Sequence, residues 1–410
     1  MKWMGLWKME CRAARRASFA RAAVSTTASL VLAMLWISPA KSQGKEILFG
    51  MSTALSGPAA ELGENMRTGV LAAFDEVNRE GGVHGRQLEL IAMDDGYVPD
   101  AAARNMAALI DEERVLAVLG NVGTPTAKVT VPIATEKRTL LFGAFTGAGL
   151  LRPDPPNRYV INYRASYLQE TAAIVRGLLD QGILPYQIAV FSQNDAYGDA
   201  GHKGVMRGLE EAGYLHGHQL AHGRYERNTQ NVHEGLLEIL EAPIEPRAII
   251  MVGAYAACAK FIRIARRSLP DAMYINVSFV GSTALKNTLG GQSEGILVTQ
   301  VVPHFESDLL LTAQYRRDLE AFAPGTEQGF VSLEGYIVAT IFVEGLRRAG
   351  PAVDRESIID ALLGIRDLDI GIGTPINYTL DSYQGIQTVW PTVIQEGRFI
   401  PFEFASRTAR

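Results

Sequence analysis

Three stretches of this chain hold residue types at spacings that could do chemistry. Gly291-Gln292-Ser293-Glu294-Gly295 fits the G-x-S-x-G pattern of a serine nucleophile. It stands before the apolar run Ile296–Val302, where the nucleophile geometry needs a strand leading into a helix, so Ser293 reads as an ordinary turn residue. His216, His218 and His222 fall on one face of an expected strand, a metal-like spacing. No carboxylate or thiolate on that strand completes a ligand set, and edge-strand histidines are commonly solvated, so no metal is expected. Glu46–Val77 reads as a buried strand, a Ser56-Gly57-Pro58 turn and an amphipathic helix whose Met66, Val70, Phe74 and Val77 recur on one face. Free N–H groups and the positive dipole end of such a helix point at whatever sits above the strand end, which makes the turn a place to hold a ligand. A phosphate loop G-x-x-x-x-G-K-[ST] and a G-x-G-x-x-G after a strand are both missing from the sequence. No cofactor is expected.

The elements that must position these residues alternate as βαβα. Strands are expected at 46–54, 87–94, 115–120, 139–145, 159–163, 187–193, 218–225, 248–254, 273–280 and 295–302, with helices in most gaps. Runs such as Ala248-Ile249-Ile250-Met251-Val252 are apolar at every position, the mark of strands covered on both faces in a parallel sheet. Ten of these are too many for one comfortable sheet, so the fold class is α/β with two doubly wound lobes. The break falls near Asn162–Ser166, after the turn-rich Arg152-Pro153-Asp154-Pro155-Pro156-Asn157. Helical patterns follow at 309–322, 332–349 and 355–365, and a hairpin is expected in 392–400. The expected organisation is lobe 1 from 44–163 plus 303–372 and lobe 2 from 164–302 plus 373–410, joined by a hinge of several strands.

Residues 1–43 read as an export signal. Lys2, Lys8, Arg12, Arg15, Arg16 and Arg21 precede the apolar run Val24–Ile37, and small residues follow, which places cleavage near residues 40–43 and the mature protein in the periplasm. Removing the signal takes away seven basic and one acidic residue and leaves 32 and 43, a net charge of −11. That balance speaks against nucleic-acid or anionic-membrane binding. Cys258 is the one cysteine beyond the signal, so stability rests on packing without an internal disulfide.

The ordered set LSGPAAELG, GNVGTPTA, LFGAFTGA, NDAYGDAG, VGAY and SFVGSTAL resembles type I periplasmic solute-binding proteins, specifically the leucine/isoleucine/valine-binding branch that serves ABC importers. The likeness runs from about Lys45 to Phe402 and rests on the order and spacing of the motifs. It implies a non-enzymatic receptor whose lobes close on a small molecule and present the closed form to an ABC permease in the inner membrane, with the protein acting as a monomer. A periplasmic sensor for a membrane signalling protein is the alternative use of the same closure. The resemblance carries Thr124 over as a hydroxyl contact, although Thr124 suits a helix N-cap equally. It carries Thr146 and the backbone of Ala144 or Phe145 over as head-group contacts, and Tyr197 as the residue that closes over the ligand. Ser56 and Tyr255 line the same cleft in this reading.

Departures from the family pattern bear on the ligand. The position of the acid that takes an amino acid's ammonium is Ser278, so Asp195 or Asp95 must substitute or the ligand lacks an α-amino group. Leu62 replaces a covering aromatic, and Gly123 stands at one position of the family's disulfide. The expected ligand is a small polar or amphipathic solute: an amino acid, a carboxylate or an amide.

Overall fold

Most of the apolar runs become strands buried on both faces, and with half-buried edge strands they assemble into two sheets. β1 (Ile47–Thr53), α1 (Ala60–Arg79), β2 (Leu88–Asp94), α2 (Pro99–Asp111), β3 (Ala117–Leu119), α3 (Thr124–Glu136), β4 (Leu140–Phe142) and β5 (Val160–Ile161) come first along the chain. Their strands form an all-parallel sheet in the order β2-β1-β3-β4-β5. The chain then supplies α4 (Tyr167–Asp180), β6 (Ile188–Gln193), α5 (Ala196–Glu211), β7 (Ala221–Tyr225), α6 (His233–Leu240), β8 (Ala248–Val252), α7 (Tyr255–Ala265), β9 (Met273–Asn276), α8 (Ser282–Leu289) and β10 (Leu297–Gln300). After α9 (Leu310–Phe322), α10 (Phe330–Ala349) and α11 (Arg355–Leu363), the hairpin β11 (Trp390–Gln395) and β12 (Arg398–Pro401) closes the second sheet, ordered β12-β11-β10-β9-β8-β6-β7. Only the hairpin pairs antiparallel there. This computed structural model describes residues 46–214 and 220–404. His216 and His218 lie outside them.

The sheets divide the helices between them. Phe342 of α10 packs against Phe49 of β1 and Phe142 of β4, each at 5.3 Å between ring centroids, so α10 returns to the first sheet although it follows the second in sequence. α1 lies beside α10 with glycines at the contact. A Cβ on Gly69 would meet the Ser332 carbonyl oxygen at 1.9 Å, and one on Gly335 would meet that of Met66 at 2.3 Å. The sequence expectation for α1 holds in detail, with Met66, Val70 and Phe74 buried and Val77 packed at the core edge.

Two strands end three or four residues earlier than expected, one at a local turn and one at a contact distant in sequence. β4 stops at Phe142 because Gly143 turns at φ +60°, after which Phe145 donates its N–H to Asn121 O at 2.8 Å. β9 stops at Asn276 because Ser278 N–H donates to the Glu170 carboxylate at 2.8 Å and opens a turn of 3-10 helix over Ser278–Val280.

The chain passes between the sheets three times. The first and third passages run side by side: Asn162 N–H donates to Tyr383 O at 2.8 Å, Gly385 N–H to Asn162 O at 2.9 Å, and Ile386 N–H to Tyr163 O at 3.0 Å. Ser166 then caps α4 in a reciprocal box with Gln169. The Gln169 side chain also accepts from Gln384 Nε2 at 2.8 Å, tying the cap to the third passage.

Gly69→Ala should lower unfolding stability by about 1–3 kcal/mol, because the added methyl forces α1 away from α10. A urea melt would read this as a lower midpoint with an unchanged slope.

Candidate functional site

In open parallel sheets, ligands sit beyond the carboxyl ends of strands where the strand order reverses. The first sheet reverses between β1 and β3 and the second between β6 and β8. The loops that leave these ends face one another.

From the first sheet, Thr124 and Thr146 meet. Their Oγ1 atoms are 2.7 Å apart, both side chains are fully buried, and Thr146 Oγ1 accepts from Ala148 N at 3.2 Å. Thr124 is not the N-cap of α3. Gly123 holds that place at φ +103°, and no side chain caps the helix, so the Thr124 hydroxyl is committed to Thr146. Gly123 is required here by close approach, since a Cβ would stand 2.2 Å from the Tyr97 ring. Phe145 offers its ring to the cleft, because its backbone N–H and C=O are taken by Asn121 and Gly123. Ala144 is buried beside it and its C=O accepts from Thr146 N at 2.8 Å.

From the second sheet, Tyr197 sits on the first turn of α5, where Asp195 caps the helix by accepting from Tyr197 N at 2.9 Å. The Tyr197 ring is buried against Tyr167 at 5.3 Å and Phe279 at 4.6 Å. Phe279 also reaches the first lobe, with Phe145 at 5.2 Å and Tyr97 at 6.0 Å. It is the aromatic centre of the closed cleft. Sequence reasoning missed it and Tyr97, although Ser278-Phe279-Val280 directly follows a strand end. Further contacts cross the cleft: Gln193 Nε2 to Tyr97 OH at 3.3 Å, and Asn228 Nδ2 to Gly96 O at 3.0 Å.

The remaining expected residues fall at the rim. Leu62 is fully buried with its tip on Gly281 of the opposite lobe. Tyr255 is half-buried at the start of α7, against Glu61 and Glu64 of α1. Ser56 is exposed and turned toward Asp94, on the outer edge of the group.

A set of buried charges lies at the base of the cleft, and the sequence reading had not found it. Arg164, on the first passage, is 1 % exposed and its guanidinium stacks over the Phe145 ring at 4.6 Å. It donates to Ser278 Oγ and lies 3.7 Å from Glu170 of α4 and 3.6 Å from Glu334 of α10. Burial opposes its charge, but the pull of Glu334 and Glu170 outweighs it and holds the pKa above its ordinary value. Ser278 therefore does have a carboxylate beside it. Glu170 accepts from Ser278 N at 2.8 Å, Ser278 Oγ at 3.0 Å and Thr299 Oγ1 at 2.6 Å. The two expected substitutes are engaged elsewhere, Asp195 with Tyr197 N, Gln193 and Arg227, and Asp95 with Ser52 and Tyr97 N. A signal existed in the sequence: Glu334 is the one charged residue in the stretch Phe330–Val343 of α10, and Arg164 lies on a passage where buried charge is costly.

The other chemistry-bearing stretches are quiet. Ser293 Oγ donates to Gly290 O at 2.8 Å in a turn. His222 stacks on His202 at 4.3 Å and shares a 2.7 Å hydrogen bond with Ser192 Oγ, while burial, then His202, pushes its pKa down to about 4. Among the described residues no three His, Cys, Asp or Glu side chains converge as metal ligands. Cys258 is buried.

Two doubly wound lobes, crossed three times by the chain and meeting at their switch points, define a solute-binding protein of the periplasmic type I fold. The chain belongs to the periplasmic binding protein family, whose model matches residues 46–398. A solved structure of a possible leucine/isoleucine/valine-binding protein from Rhodopirellula baltica is 47% identical, with a TM-score of 0.85 over 87% of this chain and 96% of that one. A substrate-binding periplasmic protein from Ralstonia solanacearum is 27% identical, with a TM-score of 0.79 over 87% of this chain and 100% of that one. The leucine-, isoleucine-, valine-, threonine- and alanine-binding protein of Pseudomonas aeruginosa is 24% identical over 77% of this chain and 82% of its own length. All three carry the names of binding proteins.

Burial, opposed by Arg164, pushes the Glu334 carboxyl up from its ordinary value near 4.5 to about 7. Between those values the folded chain keeps a proton that the unfolded chain releases, so stability falls as pH rises through this window. Glu334→Gln should flatten that fall, which melting temperatures of both proteins between pH 5 and 8 would show.

Proposed function

We propose that this protein is the substrate-binding component of an ABC importer, a monomer that works in the periplasm after loss of residues 1–43. It captures a small polar or amphipathic solute between lobe 1 (44–163 plus 303–372) and lobe 2 (164–302 plus 373–410), and the closed pair of lobes is what the permease reads. The observation that carries this reading is Phe279, a second-lobe ring packed against Tyr97 and Phe145 of the first lobe and Tyr197 of its own. Closure brings the two switch points together there, which couples occupancy to shape. Thr124 and Thr146 supply hydroxyls for a polar head group, Tyr197 and Phe279 cover it, and Leu62 and Tyr255 shape the apolar rim.

The test is a thermal-shift screen of the purified protein against amino acids, aliphatic and aromatic carboxylates, and amides. A ligand present at a hundred times its Kd stabilises the folded state by about 2.7 kcal/mol. Thr124→Ala removes a hydroxyl and a methyl, and Tyr197→Phe a hydroxyl alone, so each should weaken the ligand found by about tenfold or more while the protein still unfolds cooperatively. Full-strength binding in both variants would place the ligand elsewhere.

A further inference from the structure

We infer that the guanidinium of Arg164 is the anchor for the ligand's head group, and that the ligand is a carboxylate without an α-amino group. This rests on the cleft reading above and deepens it. Arg164 spends one nitrogen on Ser278 Oγ, while Nε and Nη1 have no hydrogen-bond partner although the side chain is 1 % exposed. Glu170 and Glu334 are near enough to attract it, at 3.7 and 3.6 Å, and too far to accept its protons. The hydroxyl of Tyr197 is buried beside it and also unpartnered, and the Tyr167 ring lies against that of Tyr197. With the Thr124–Thr146 pair in the same cleft, the base offers a convergence of donors. A buried donor left unmatched costs about 1–3 kcal/mol, so the site is built for an acceptor.

An ammonium has no comparable place. Glu170 is saturated by Ser278 and Thr299, and Asp195 and Asp95 are held within their own loops. Glu334 Oε1 is unpartnered, but it stands 3.6 Å from Arg164 Nε, so an ammonium there would crowd a permanent cation. Burial also lets that carboxyl hold a proton up to about 7, which weakens it as an ammonium's partner. The second guanidinium nearby, Arg152, is spent on Gln384, Ala148 O and Arg164 O. The charge left to recognise a ligand is positive.

Two head-group series test this by titration calorimetry on the purified protein: 4-methylpentanoate, 4-methylpentanamide and leucine, and 3-phenylpropanoate, 3-phenylpropanamide and phenylalanine. Within each series the apolar body is constant. In at least one series the acid should bind about tenfold or more tighter than its amide and its amino acid, the difference expected of a charge-assisted bond. Arg164→Lys keeps the charge and loses the fork, so it should erase most of that preference. The wild-type comparison stands even if the variant folds poorly. An amide or amino acid that binds as well as the acid, or two acids that do not bind, would overturn the assignment. If an acid binds and ignores Arg164→Lys but responds to Thr124→Ala, this inference falls and the cleft reading stands. Indifference to Thr124→Ala and Tyr197→Phe as well would remove both.

Discussion

A guanidinium with 1 % exposure cannot exist in a protein without partners, and Arg164 finds them in both halves of the molecule. Glu334 reaches it from α10 on the first sheet, while Glu170 and Ser278 reach it from the second. The residue itself lies on the first passage between them. Breaking a buried pair of this kind costs about 3–5 kcal/mol because it strands a charge, so the closed arrangement of the lobes and the neutralisation of Arg164 depend on each other. The same side chain lies flat on Phe145, which touches Phe279, which touches Tyr197. Electrostatics at the base and aromatic packing in the cleft are continuous.

Much of the fold was legible in the sequence because its signals are local. Short, fully apolar runs rich in β-branched residues, such as Ala248–Val252, point to strands covered on both faces, and the face of α1 follows from the spacing of Met66, Val70 and Phe74. Strand ends were less legible, since they depend on partners far along the chain. The run through 273–280 reads as one strand until Glu170, more than a hundred residues away, takes the N–H of Ser278. The site divides in the same way. Thr124, Thr146 and Tyr197 were found through motifs at strand ends, and the structure brings them to facing edges of one cleft. Arg164, Glu170 and Glu334 were missed because nothing in their own neighbourhoods says that three distant residues share one buried spot.

Gly123 shows how a departure from a family pattern can be the trace of another contact. A side chain at that position would drive into the Tyr97 ring, and Tyr97 is what the first lobe presents to Phe279 and Gln193. Glycine at this position admits an aromatic ring to the cleft. The aromatic surface of the first lobe comes from Tyr97 and Phe145, and Leu62 meets Gly281 at the rim.

The first and third passages are hydrogen-bonded to each other over Asn162–Tyr163 and Tyr383–Ile386. Two strands joined in this way behave as a narrow ribbon, which flexes across its width far more readily than it shears along its length. Sliding would cost the ladder bonds, whereas bending keeps them. In the function proposed above, the lobes would reopen and reclose along one track, and the facing loops would return in the same alignment each time. A solute one methylene too long would then meet an unyielding wall instead of a cleft that shifts sideways to admit it, so a backbone ladder well away from the ligand would help set the size limit.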